Sequence, residues 1–135
     1  MEPHDKLRET LIGNWISLLC TTYTKVLDKT QLHRPCIEFP FILKPISKQI
    51  ENLLDVTEVY EEKQILQEAI NIIKTYNQEN KFSVELKLNK IFLSYLEVIG
   101  EDRMRAYFQN LQGLLDESLN NIKTATQMLI ELNNR

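Results

Sequence analysis

The chain has 135 residues, the size of one ordinary domain, and a second hydrophobic core would not fit in it. Hydrophobic residues make up 43% and charged residues 26%, the balance of a folded soluble protein rather than of a disordered or membrane-spanning chain. Lys and Arg number 16 against 19 Asp and Glu, so no basic excess is present to neutralise phosphates, and nucleic acid is not an expected partner.

Only 3 Gly and 4 Pro occur, too few turn-formers for a many-stranded sheet, and the scarcity points to long helices. From residue 5 to about residue 29, Leu7, Leu11, Trp15, Leu18, Thr22 and Val26 recur at helical spacing, with Ile12, Ile16, Leu19 and Tyr23 widening the stripe. Gly13 inside this helix marks a close helix contact or a weak turn. Residues 31–40 carry Pro35 and Pro40 and read as a packed, extended connection, despite the strand-like alternation that begins at Cys36. A second helix is expected over residues 41–54, with Ile42, Ile46, Ile50, Leu53 and Leu54 inward and Pro45 tolerable only within its first turn.

Asp55 or Thr57 can cap a third helix, whose apolar face is Ile65, Leu66, Ala69, Ile70, Ile73 and Tyr76. After a polar break, Ser83 is a candidate cap for a fourth helix carrying Val84, Leu88, Ile91, Phe92, Tyr95, Leu96 and Ile99, closed by Gly100. Glu101 and Asp102 then open a last helix expected to run unbroken to Arg135, with Gly113 its weak point. Phe108, Leu115, Ile122 and Leu129 fall at every seventh position, interleaved by Leu111, Ser118, Ala125 and Leu132. That rhythm is a coiled-coil seam, and it assigns Phe108, Leu111, Leu115, Ile122 and Leu129 to a dimer interface. A helix lying on its own domain's core gives the same rhythm, so periodicity leaves that choice open. The fold class expected is all-α: a five-helix single domain whose residues 1–107 form the core and whose residues 108–135 continue the last helix as a coiled-coil-like extension.

Catalytic chemistry has few candidates. His4 and His33 are the two histidines, both read as solvated. Neither stands in the Glu-x-x-His spacing of di-iron bundles, and no histidine lies between Arg34 and Arg135 to serve as a proximal haem ligand. Cys20 and Cys36 lack metal spacing and are expected as reduced thiols. The pairs Glu58 with Glu62 and Glu51 with Asp55 lie one helical turn apart and read as solvated surface. No glycine-rich phosphate loop is present. Trp15, Phe82, Phe92, Tyr95, Tyr107 and Phe108 read as core, with an apolar ligand pocket as the alternative. No catalytic, cofactor-binding or metal-ligating residue is therefore assigned. With no apolar run of roughly 18 residues and no secretory signal in the opening Met1-Glu2-Pro3-His4-Asp5, the expected location is the cytoplasm.

Two stretches resemble a family. Leu7-Arg8-Glu9-Thr10-Leu11-Ile12-Gly13-Asn14-Trp15-Ile16-Ser17-Leu18-Leu19 is similar to the opening helix of the N-terminal sensor domains of bacterial stressosome proteins of the RsbR type and related histidine-kinase input domains. Residues 70–99, with Phe82-Ser83-Val84-Glu85 after the polar break and then Leu88, Phe92 and Leu96, are similar to that family's central helix, turn and next helix. The resemblance implies a globin-like domain without haem that dimerises and regulates a partner. The expectation is a non-enzymatic sensory or regulatory domain, homodimeric, signalling to a protein partner or output module. The alternative is a small adaptor or structural protein that binds a partner's helix in an apolar groove. An enzyme acting through Cys20, Cys36 or a carboxylate pair is the third and least favoured reading.

Overall fold

The computed structural model describes residues 4–27, 38–77, 79 and 81–134, apart from the side chains of residues 38–40 and 82. The apolar rows of the sequence wind into α1 (Asp5–Leu27), α2 (Glu38–Val56), α3 (Tyr60–Lys74), α4 (Lys81–Ile99), a short α5 (Glu101–Tyr107) and α6 (Gln112–Asn133). A 3-10 turn, Gln109–Leu111, joins the last two, and no strand occurs among the described residues. The fold is all-α. α1 packs on α2 and α6, α3 packs on α2 and α4, and α4 packs on α6, so the five longer helices close a ring.

The middle of that ring is filled by the stripes read from sequence. Trp15 of α1 is fully buried, with its ring centroid 5.1 Å from that of Phe92 and 6.1 Å from that of Tyr95 on α4, the spacing at which aromatic pairs attract. Ile50 and Leu53 of α2, Leu66 and Ala69 of α3, and Ile122 of α6 complete the layer. At one end Val26, Ala125 and Leu129 form a smaller cluster between α1 and α6. All seven apolar residues expected inward on the fourth helix, from Val84 to Ile99, are buried there.

Three boundaries differ from expectation, each for a local reason. α2 starts at Glu38, three residues earlier than Phe41. Pro40 is tolerated there because the first four N–H groups of a helix have no intrahelical partner. Pro45 lies inside the helix rather than in its first turn, and it sits on the exposed side with Phe41 and Lys44, where the carbonyl it leaves unpaired can meet water. The rest of the proline-rich connection, with Pro35, Cys36 and His33, lies outside the described residues. α3 has Val59, not Asp55 or Thr57, at its N-cap, and Thr57 instead accepts the Val59 N–H at 3.3 Å. α4 begins at Lys81, so Ser83 lies in its first turn rather than capping it.

The largest difference is in the last helix, which is not continuous. Phe108 (φ −121°, ψ 34°) and Leu111 (φ −132°, ψ 30°) leave helical geometry and separate α5 from α6. Two carbonyls at the break each accept a backbone N–H, Arg105 O from Phe108 at 3.2 Å and Phe108 O from Leu111 at 2.8 Å. The Gln112 amide bridges both, donating at 2.8 Å and 3.0 Å, while Arg105 Nη1 donates back to Gln112 Oε1 at 2.7 Å. α6 can therefore change direction and run along α1 and α4.

Gly100, between α4 and α5, has φ +93° and ψ 141°, a conformation that an L side chain adopts only with strain. An added Cβ would meet nothing within 4 Å, so the whole penalty is conformational. Gly100→Ala is expected to cost about 1–3 kcal/mol in denaturant unfolding. An unchanged midpoint would show that the turn relaxes.

Candidate functional site

Two charged residues interrupt apolar rows. Arg8 stands three before Leu11 and seven before Trp15 in the α1 stripe, and Glu62 stands four before Leu66 on α3. The ring of helices brings them together in the interior, with Arg8 2% and Glu62 1% exposed. Arg8 Nε donates to Glu62 Oε2 at 2.8 Å and Arg8 Nη2 to Glu62 Oε1 at 3.0 Å, the bidentate geometry of a strong guanidinium–carboxylate pair. Tyr95 of α4 donates its hydroxyl to Glu62 Oε2 at 2.8 Å, and the Thr57 hydroxyl donates to Glu62 Oε1. Arg8 Nη1 also reaches Asp5 Oδ1 at 3.4 Å, which accepts the Tyr107 hydroxyl of α5 at 2.6 Å.

Burial alone would push the Glu62 carboxyl up. The hydrogen bonds from Arg8, Thr57 and Tyr95, together with the Arg8 charge, outweigh that and hold it below its ordinary value. The Glu62 hydrogen bonds push the Arg8 guanidinium further up, against the opposing effect of burial. Burial and then the neighbouring carboxylates push Tyr95 and Tyr107 up as well. Each Glu62 oxygen accepts two donors, which uses all four lone-pair sites of the carboxylate. Glu62 is thus a clamp tying α1, α3, α4 and the segment before α3, with no acceptor capacity left for a substrate. This corrects the expectation that Glu58 and Glu62 are both solvated: Glu58 is exposed, but Glu62 is core. Glu51 and Asp55 are exposed, as expected.

A second buried polar set joins α1, α4 and α6. Lys25 Nζ meets Glu85 Oε1 at 2.7 Å, and Asn89 Nδ2 donates to Thr126 Oγ1 at 3.1 Å. Among the described residues, no group of three His, Cys, Asp or Glu is placed to hold a metal ion. No described helix is long and apolar enough to cross a membrane.

The five residues assigned to a dimer seam are split by the fold. Leu115, Ile122 and Leu129 are 4%, 0% and 0% exposed, covered by their own domain, and this corrects their placement on a free surface. The physical reason is that a seven-residue apolar repeat describes one helix face equally well against a twin or against α1 and α4. Phe108 is half-buried, with its Cε1 3.8 Å from where a Cβ on Gly13 would stand. Leu111 is 52% exposed, and its neighbour Leu114 is 59% exposed.

Those two leucines flank an open, mainly apolar groove of about 300 Å³ between α1 and the start of α6. Gly13, Ile16, Ser17 and Cys20 line its α1 side, and Phe108 and Ser118 lie opposite. Burial pushes the Cys20 thiol up, against a lowering hydrogen bond with Ser118, so the thiolate a nucleophile needs is disfavoured. A larger depression of about 1160 Å³ beside α2, α3 and α4 carries Glu51, Asp55, Glu68, Lys63, Lys87 and Lys90, charges of both signs that favour no single ligand class.

The residues missed in the sequence were Arg8, Glu62 and Leu114. The signal for the first two was a charge of each sign at a stripe position. Leu114 falls outside the seven-residue rhythm of the last helix, so no signal in the pattern singles it out. No protein-family model matches the chain, and comparisons with curated proteins and with solved structures return no match.

Proposed function

We propose that this chain is a non-enzymatic regulatory domain that homodimerises and passes a signal to a partner protein or output module. The observation that carries the reading is the groove between α1 and α6, where an apolar surface with Leu111 and Leu114 more than half exposed is left uncovered by the domain's own helices. Soluble proteins keep such surface for contact with other proteins. The absence of enzymatic activity is supported by the saturated Glu62 carboxylate and the raised Cys20 thiol. A sensory role of the stressosome type, in the cytoplasm, stands as the proposal that the sequence resemblance supplies.

The same groove favours a second reading, an adaptor that receives another protein's helix. Light scattering over about a hundredfold range of concentration separates the two, because self-association is driven by mass action. A mass rising from one chain to two with concentration is the expected result. A single-chain mass throughout rejects homodimerisation and favours the adaptor.

A further inference from the structure

The outer face of α1 is unusual for a helix on a soluble domain. From residue 10 to residue 24 not one charged residue occurs in a chain that is 26% charged, and the outward positions are Thr10, Asn14, Ser17, Thr21 and Thr24. The solvent side of a helix normally carries the charges. Four hydroxyls on this helix are turned back into it: Thr10, Ser17, Thr21 and Thr24 donate to the carbonyls of Lys6, Gly13, Ser17 and Cys20 at 2.9, 3.2, 3.1 and 3.1 Å. Covering this face would therefore strip none of these four hydroxyl donors of its water, which lowers the usual penalty for burying a polar surface and leaves the exposed Asn14 amide as the group the contact must satisfy.

We infer that this uncharged face of α1, together with Leu111 and Leu114, is where a second copy of the chain docks. The inference rests on the homodimeric reading above and supplies its surface in place of the α6 seam. Two features single out a copy of itself as the occupant. In a twofold contact the same patch meets itself, so every charge near the axis would face its like, and a charge-free face is what such a contact requires. The patch also holds both halves of a fit: Leu111 and Leu114 stand out as knobs, and Gly13, Ser17, Cys20 and Ser118 leave a hollow beside them. On α1 the charges lie at the ends of the face, with Lys6 and Glu9 paired at 3.9 Å near its start and Lys25 held by Glu85 near its end, while on the α6 side the exposed Glu117 stands close to Cys20 and bounds the hollow there.

Residues 10–24 span about 21 Å of helix. A helix about 10 Å wide then offers roughly 200 Å² of flat area per copy, to which Leu111 and Leu114 add, well below a standard interface, which places the dimer in the weak, transient class.

The test is sedimentation velocity on the full chain, comparing the unaltered protein with Ser17→Glu, Leu114→Glu and, as a control on α3, Gln67→Glu. All three sites are exposed, so folding is checked by an unchanged circular dichroism spectrum. Ser17→Glu and Leu114→Glu are each expected to raise the dimer Kd by about tenfold or more, and Gln67→Glu to leave it unchanged. As an independent measure, labelling of the Cys20 thiol in a Cys36→Ser background should slow as concentration rises through the Kd. A dimer whose Kd ignores both substitutions, with labelling independent of concentration, overturns this surface while leaving self-association intact. A monomer at every concentration overturns the homodimeric reading itself and leaves the face to a different protein.

Discussion

Glu62→Leu is expected to destabilise the domain by about 3–5 kcal/mol, because it strands the Arg8 guanidinium in the interior without its bidentate partner. The loss should be far smaller when both charges go together. Arg8→Met with Glu62→Leu removes the desolvation of two ions as well as their attraction, and such exchanges are often neutral or stabilising. Trp15, the only tryptophan, lies fully buried over Tyr95 and reports the transition directly by fluorescence during urea unfolding. A double variant as unstable as the sum of its single variants would show that the two side chains are not coupled.

The same cluster sets a direction for pH. The Glu62 carboxyl is held below its ordinary value of 4.5 in the folded chain and returns to it on unfolding. A depressed carboxyl contributes stability that is fully present above the unfolded value and is lost as pH falls through the folded one. Stability should therefore decline on acidification below about pH 4.5, and Glu62→Gln should flatten the part of that decline that Glu62 supplies. An identical acid limb in the Glu62→Gln variant would place the sensitivity at other carboxylates.

Ile122→Asp is the second large effect, expected at about 4 kcal/mol or more, enough to unfold a domain of ordinary stability. Ile122 is 0% exposed among the core residues of the ring, so a carboxylate there has neither water nor a partner. A seam residue in a dimer would behave differently, giving a folded monomer. Circular dichroism distinguishes the results: loss of helix marks a core position, and retained helix with halved mass restores the seam. Leu129→Asp should follow Ile122→Asp, whereas the exposed Leu114 should accept a charge with its helix content kept.

Much of the fold was legible because helical spacing reports which side of a helix is apolar. The rows from Leu11 to Val26, from Ile46 to Leu53 and from Val84 to Ile99 are buried as read. The break at Phe108 was not legible, since neither Gly nor Pro marks it and the Gln112 amide that bridges its carbonyls comes from beyond the break. The polar clamp was half legible. Arg8 and Glu62 each stood out of place in an apolar row, but their partnership is a contact across 54 residues, which a local pattern does not encode.

By itself the amino-acid sequence determined an all-α domain, the inward face of each long helix and the glycine stop between α4 and α5. These follow from short-range rules: side-chain period, capping and backbone freedom act within a few residues. The tertiary structure decided what the faces meet. It turned the seven-residue repeat of α6 toward α1 and α4, drew Arg8, Glu62 and Tyr95 into one buried cluster, and left the uncharged side of α1 facing outward. Periodicity fixes direction around a helix axis, and only the packing of all the helices at once selects the partner in that direction.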